Sequence, residues 1–168
     1  MKTIYLILLT FISTLGFGQS QMPYDSVSKK FIYSEVVELP QYKKDQLFMK
    51  AKDLNQLGKG IKIDNKAEGI YSYIGDLAVT YPGPVKGKND NGNVAYTLTI
   101  FCKDGKYKIA ITDFIHTGKN GNGGELELKE PKCTKNALSL TSWTLIKTQT
   151  NDKITQLIKN IKTYMQQP

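Results

Sequence analysis

The stretch VAYTLTIFCKDGKYKIAIT, residues 94–112, decides the fold, because large apolar and polar side chains alternate on both sides of a two-residue turn. Asp104-Gly105 is a turn sequence that favours the positive φ of a tight β-hairpin. A one-residue slip would move the apolar set into water, so the register is well specified. Pairing across the turn predicts these opposed residues on one face: Cys102 and Tyr107, Ile100 and Ile109, Leu98 and Ile111.

The other face of this hairpin is predicted to be a contact surface if helices cover only the apolar face. We expect Tyr71, Tyr73 or their neighbours near it, and ten tyrosines are many for a chain of 168 residues. Tyrosines on a sheet often mark a contact surface, although they are also good strand formers. The predicted contact residues are Thr97, Thr99, Phe101, Lys106 and Lys108.

The rest of the chain supplies further strands and two amphipathic helices. Each helix must bury one apolar stripe, and the sheet has one apolar face, which predicts an α+β domain. We expect an antiparallel sheet of about five to six strands with both helices packed on one face. The predicted strands cover 31–39, 61–64, 70–80, 94–102, 107–111 and 125–130, the helices cover 43–57 and about 151–165, and the loops cover 81–92 and 118–124. The stretch 137–145 is either a strand or the start of a helix.

The N-terminal residues are typical of an export signal. Met1-Lys2 is followed by an apolar run over 3–17, and Gly16 and Gly18 offer the small residues that a signal peptidase reads. The run is shorter than the roughly 20 residues that span a bilayer. We therefore predict a signal peptide over 1–18, a flexible leader over 19–30 and one domain over 31–166, periplasmic or extracellular after cleavage and without a transmembrane segment.

All 23 basic residues are lysine, against 15 acidic residues. Removal of Lys2 with the signal leaves 22 lysines, and 22 minus 15 gives a mature charge of +7. Arginine is the usual residue for bidentate reading of bases and phosphates, so its absence argues against specific nucleic-acid recognition. The lysines either keep the surface soluble or draw it to an anionic surface.

Cys102 and Cys133 are the two cysteines of the chain. In an oxidising compartment they would form a disulfide that closes a loop of 31 residues (133 minus 102). The alternative is two separate buried thiols. Export favours the disulfide.

Five segments in order resemble a family of secreted bacterial proteins known as a domain of unknown function with a TBP-like fold. The resemblance covers about 31–165 and implies a curved antiparallel sheet with helices on one side. It implies no activity, because the family has no established one, and a shared fold does not carry function. The segments are FIYSEVVELP (31–40) with the Lys-Lys-Asp that follows, DNKAEG (64–69), YTLTI (96–100), KDGKY (103–107) and ITDF (111–114).

The sequence offers little catalytic or metal-binding chemistry. His116, the single histidine, lies near Asp113, and Ser139 or Ser142 would complete a triad, yet nothing in the sequence places them together. We interpret His116 as a half-exposed residue at a strand end. One histidine and two distant cysteines do not make a zinc site. We predict no enzymatic activity, no metal and no cofactor.

These observations favour a binding or assembly module of the bacterial cell envelope. Its partner would be a protein or an anionic envelope component, met by the open sheet face. The alternative is a carrier that holds a small apolar ligand between sheet and helices. The cavity of a carrier would be lined by Leu98, Ile109, Ile158 and Ile161.

Overall fold

A computed structural model describes residues 21–54, 60–134 and 136–167. The predicted signal peptide over 1–18 and the end of the first predicted helix, 55–57, lie outside the described residues. The elements in chain order are β1 (Tyr24–Asp25), β2 (Lys30–Phe31), β3 (Tyr33–Glu38), α1 (Lys44–Asp53), β4 (Gly60–Asn65), β5 (Ile70–Pro82), β6 (Asn89–Lys103), β7 (Lys106–Gly118), β8 (Gly124–Glu125) and α2 (Leu140–Gln166).

The main sheet is antiparallel, with strand order β3-β7-β6-β5-β4, and β8 pairs with the far end of β7. The predicted hairpin is confirmed with its register: Cys102 lies opposite Tyr107, and Leu98 lies opposite Ile111. Since the register fixes the faces, all the large aliphatic side chains of β6 and β7 between these two pairs enter the core.

Both described helices pack on the apolar face of the sheet, which confirms the predicted α+β architecture. Helix α1 buries Leu47, Phe48 and Ala51. Helix α2 runs the length of the domain, about 40 Å at 1.5 Å per residue. Its largest buried side chains are Trp143, Ile146, Ile154, Ile161 and Met165.

Helix α2 begins eleven residues before the predicted start at about Asn151, and the stretch 137–145, left open between a strand and the start of a helix, is helical from Leu140. Ser139 is its N-cap and accepts a hydrogen bond from the backbone N–H of Ser142, at 3.1 Å. Thr150 lies inside the helix, where its hydroxyl donates to the carbonyl of Ile146. The apolar stripe of this helix was not followed back beyond Asn151, because the polar residues over 147–153 interrupt it. Among the described residues, no helix combines the length and the apolar character that crossing a lipid bilayer requires.

Three predicted boundaries were wrong. The loop predicted over 81–92 is confined to 83–88, because β5 and β6 continue to pair as far as Pro82 and Asn89. The leader predicted to be flexible over 19–30 contains the β1–β2 hairpin, and Met22 is buried against the core. The strand predicted over 125–130 is reduced to β8, because 126–130 form turns.

Candidate binding face

The face of the main sheet opposite the helices carries solvent-exposed apolar side chains. One row crosses four strands, since Val36 lies opposite Lys108, Lys108 opposite Phe101, and Phe101 opposite Ile70. Val36 is 55% exposed and Phe101 is 38% exposed. These side chains receive no cover from the helices, so this surface, which we call the open face, is available to a partner.

A depression of about 360 Å³ lies on the open face at the β6–β7 turn. Val36 and Phe101 line it together with Lys103, Lys106 and Lys108. Lys106 is 3.6 Å from Glu38, an exposed pair of the kind that contributes little stability. No acidic side chain of the described residues forms an ion pair with Lys103 or Lys108. The depression therefore combines an apolar surface with excess positive charge.

The structure places all five predicted contact residues on the open face, but not with equal access. Phe101, Lys106 and Lys108 lie at the depression. Thr97, only 9% exposed, lies further along β6, where its hydroxyl accepts a hydrogen bond from Lys62 Nζ at 3.1 Å. Thr99 shares a 2.9 Å hydrogen bond with the Ser72 hydroxyl. The two threonines are therefore less accessible to a partner, because each is hydrogen-bonded to a neighbouring side chain of the sheet.

The expectation that Tyr71, Tyr73 or their neighbours lie near this face holds only for the neighbours: Ser72 lies on it opposite Thr99, whereas the two tyrosines do not. Both point to the helices and are buried, and the Tyr71 ring makes an edge contact with Phe48 at 6.0 Å between centroids. Burial raises the pKa of Tyr73, and burial raises the pKa of Tyr96 to about 12. These tyrosines favour the strand conformation, and their large rings pack in the hydrophobic core.

Two exposed residues of the depression were missed from the sequence, Val36 and Lys103; Tyr107, which also lines it, is buried. Lys103 belongs to the predicted hairpin and follows Phe101 by two residues, a spacing that places both on one face. Val36 could not be found in this way. It reaches the depression only because β3 pairs with β7, a contact between residues 72 positions apart (108 minus 36).

The opposite end of the open face places exposed Ile115 beside both acidic and basic side chains. Asp113 lies at a β-bulge with φ of 59° and accepts a hydrogen bond from Lys30 Nζ at 2.6 Å. Burial acts to raise the pKa of Asp113, but hydrogen bonds from Lys30, Thr112 and Thr97 outweigh it and lower the pKa overall. The acidic residues Asp113, Glu125 and Glu127 offset the lysines here, so this end offers less net positive charge to a ligand than the lysine depression.

His116 is on the covered face and is fully buried, so its predicted half-exposed position was wrong. Its Nδ1 accepts a hydrogen bond from the backbone N–H of Gly123 at 3.1 Å, which requires a neutral ring. Its Nε2 has no hydrogen-bond partner among the described residues. The rings of Tyr81 and Trp143 flank it edge-on, with centroids 5.4 and 5.9 Å away. Burial lowers the pKa of the His116 imidazole.

The residues that a triad would need are held in separate contacts. The carboxylate of Asp113 pairs with Lys30 on the open face. The Ser142 hydroxyl donates to the carbonyl of Pro82, and Ser139 caps α2. No hydrogen bond joins His116 to any of these three residues. In the described part of the chain, no cluster of three or more His, Cys, Asp or Glu side chains is suited to a metal ion.

The predicted disulfide between Cys102 and Cys133 is contradicted, since both thiols are free. Cys102 lies at the β6–β7 turn, whereas Cys133 touches Gly121, beyond the other end of β7. The ten residue-to-residue steps of β6 from Gly92 to Cys102 span about 33 Å at 3.3 Å per step. A disulfide requires Cα atoms within about 7 Å, so the two cysteines cannot meet in this fold. Burial raises the pKa of the Cys102 thiol to about 12.

Three of the four side chains predicted to line the cavity of a carrier are packed in the core. Leu98, Ile109 and Ile161 are at most 2% exposed, so no ligand-sized void opens beside them. Ile158 is half-buried and lines a groove at the edge of the sheet, between α2 and β3.

These features define a class of protein: an α+β domain in which two helices cover one face of an antiparallel sheet and leave the other face open. The chain belongs to the family described as Domain of unknown function (DUF4468) with TBP-like fold, whose sequence profile matches residues 33–117. The resemblance read from the five sequence segments is thereby confirmed.

Solved structures show the same fold. A DUF4468 family protein from Bacteroides ovatus is 15% identical, with a TM-score of 0.63 over 90% of this chain and 93% of that chain. A TBP-like protein from Parabacteroides distasonis is 16% identical, with a TM-score of 0.63 over 86% of this chain and 97% of that chain. No curated protein matches this chain. At these identities the likeness concerns the fold alone.

Proposed function

We propose that this chain is a non-enzymatic binding module, exported to the bacterial cell envelope, whose open face binds an acidic segment of a partner protein. The observation that carries the proposal is the depression on that face. Val36 and Phe101 supply exposed apolar area, and Lys103 and Lys108 supply positive charge that no described acidic side chain neutralises.

The chemistry of the depression selects the partner. An aromatic side chain with lysines around it favours a segment that places a large apolar residue beside carboxylates. Lysine is a point charge on a flexible stem, so it suits carboxylates at variable positions better than one fixed planar group. An anionic lipid surface would be attracted by the same charges, and the test below separates the two partners.

Site-specific cross-linking tests the proposal directly. A photo-reactive amino acid replaces Phe101, and in a control protein it replaces Gln156, an exposed residue of α2. Both proteins are expressed in the native host and irradiated, and adducts are identified by mass spectrometry. We expect a protein adduct at position 101 but not at 156, and loss of that adduct when Lys103, Lys106 and Lys108 are all replaced by Glu.

An adduct that survives the charge reversal would refute the proposed face, as would equal labelling at positions 101 and 156. Lipid adducts at 101, together with charge-dependent flotation on phosphatidylglycerol vesicles, would establish the lipid surface and overturn the protein partner. Export is tested separately by the intact mass of the protein from the envelope fraction. We expect the mature chain to begin at Gln19, whereas a chain that retains residues 1–18 would contradict the proposed cleavage.

A further inference from the structure

The buried imidazole of His116 is enclosed by the backbones of three separate segments. A Cβ added at Gly92 would lie 2.5 Å from its Nε2, and one at Gly118 would lie 3.2 Å from its Cε1. A Cβ added at Gly123 would lie 2.9 Å from its Nδ1. Because a methyl group does not fit at these positions without a shift, a water molecule or counter-ion has no room there either. A charge on this ring could not be hydrated while the three segments stay in place.

The two nitrogens of the ring differ in their partners. Nδ1 of His116 accepts the N–H of Gly123 at 3.1 Å, so the proton of the neutral ring is on Nε2. Nε2 has no hydrogen-bond partner among the described residues. Protonation would add an N–H at Nδ1 that points at the Gly123 N–H, and a repulsion would replace the hydrogen bond. The charged ring would therefore lose its hydrogen bond and gain no other in this arrangement.

Of the three enclosing segments, the one with Gly123 is the least firmly held. Gly92 and Gly118 are opposed residues of the β6–β7 ladder, whereas Gly123 lies between β7 and β8. The N–H of Gly123 is bound to His116, and its carbonyl accepts a hydrogen bond from the N–H of Lys132 at 2.9 Å. Loss of the imidazole acceptor would leave the carbonyl as the one backbone group of Gly123 with a partner among the described residues.

The hydrogen bond at the Gly123 carbonyl joins two stretches of chain into one unit. Cys133 packs against Gly121, since a Cβ at Gly121 would lie 3.0 Å from the thiol sulphur. Between the two stretches, Leu126 is fully buried, and its N–H donates to a carbonyl of β7 at 3.0 Å. The outer stretches can therefore move while Leu126 stays on the sheet. We call these stretches, residues 119–123 and 131–134, the flap.

We infer that the flap is an acid-sensitive switch: protonation of His116 opens it and exposes the Trp143 ring. A Cβ at Gly123 would lie 2.4 Å from this ring, so the flap lies directly on it. Trp143 is 1% exposed in the closed arrangement. Opening gives both nitrogens of His116 access to water. The flap is at the end of β7 remote from the lysine depression, so the switch goes beyond the binding proposed for the open face.

The pH at which the flap opens follows from the burial of the ring. Burial lowers the pKa of His116, whereas a hydrated ring in the open arrangement titrates near the ordinary value of about 6.5. The closed flap is fully favoured above that pH, and below it the open fraction rises by at most about tenfold per pH unit. Among the described residues, the titratable groups on the surrounding elements make no hydrogen bond or ion pair with the imidazole: Tyr81 on β5, Asp90 on β6, Asp113 on the open face of β7, Lys147 on α2, and Lys119, Lys132 and Cys133 on the flap.

Amide hydrogen exchange of the purified protein at pH 7 and pH 5 tests the inference. After correction for the intrinsic effect of pH, we expect the amides of Gly123 and Lys132 to lose about tenfold in protection at pH 5, while the β6–β7 hairpin keeps its protection. Acrylamide quenching of Trp143, the single tryptophan, should rise as the pH falls. Its midpoint should coincide with the NMR titration of His116, the single histidine.

Two variants identify the titrating group. His116→Gln keeps an acceptor for the Gly123 N–H but takes up no proton, so its flap should be equally protected at both pH values. Asp113→Asn removes a titratable group of the same strand on the open face and should respond like the wild type.

The inference is overturned if flap protection does not change with pH, if all elements lose protection equally, or if His116→Gln responds like the wild type. Circular dichroism establishes that the variants fold. Should His116→Gln not fold, the wild-type titration decides, because Trp143 quenching that rises without protonation of His116 overturns the switch.

Discussion

On the covered face of the sheet the side chains are aromatic or branched aliphatic and almost completely buried, whereas on the open face apolar residues alternate with lysines and threonines. The same strands supply both faces. Ile100 and Phe101 are adjacent on β6, yet Ile100 is fully buried and Phe101 is 38% exposed. The difference indicates that the covered face determines stability and that the open face is free to serve another role.

The strongest test of this comparison uses the adjacent pair. Ile100→Ala should lower the free energy of unfolding by about 2–5 kcal/mol, because it leaves a cavity in a packed core. Phe101→Ala should cost less, about 1 kcal/mol, because the side chain is already 38% exposed and its loss opens no cavity in the core. Urea unfolding followed by circular dichroism measures both. Equal losses would mean that the open face is part of the core.

Two glycines of the sheet give a second test. A Cβ at Gly75 would lie 2.3 Å from the Tyr96 ring on the covered face, whereas a Cβ at Gly60 on β4 would meet no atom of the described residues within 4 Å. Gly75→Ala should therefore destabilise the protein by about 1–3 kcal/mol through overpacking. Gly60→Ala should change stability by less than about 0.5 kcal/mol. Thermal unfolding measures both variants, and equal decreases in their melting temperatures would contradict this explanation.

How far the sequence predicts these faces depends on the range of the contacts. Local alternation and the Asp104-Gly105 turn were enough to predict the hairpin and its register, because every partner lies within a short stretch. The burial of His116 was not predictable in this way. Tyr81 and Trp143 enclose it from 35 residues before it (116 minus 81) and 27 residues after it (143 minus 116).

The same distinction between local and distant contacts applies to the residues of the candidate site. Phe101, Lys106 and Lys108 were predicted from the hairpin alone, while Val36 depends on the distant pairing of β3 with β7. The beginning of α2 was left undecided for a different reason. Its polar central residues, among them Asn151, are buried with internal hydrogen bonds that no apolar periodicity reveals.

Two titratable residues of β7 extend the comparison to pH. His116, on the covered face, has its pKa lowered by burial, so the unfolded chain binds more protons as the pH falls below about 6.5. Stability should be complete above that pH and decline below it, by at most about 1.4 kcal/mol per pH unit. Asp113, on the open face, also has a lowered pKa, but its contribution should be lost only below about pH 4.

Melting temperatures between pH 7 and pH 5 measure the histidine effect. His116→Gln keeps an acceptor for the Gly123 N–H but does not titrate, so its melting temperature should depend less on pH in that window. Asp113→Asn should leave that window unchanged. A wild-type melting temperature that is constant from pH 7 to pH 5 would show that the buried ring accepts a proton without cost.

The smallest expected effect on stability is the most informative about the open face. Lys108→Glu reverses a charge that has no ion-pair partner among the described residues, so we expect a change in unfolding free energy of less than about 0.5 kcal/mol. Denaturant midpoints of wild type and Lys108→Glu at low and high salt measure it. A large loss of stability would assign the lysine a structural role. A negligible loss means that Lys108 can be varied to test binding without disturbing the fold, which is the property that a contact residue on the open face requires.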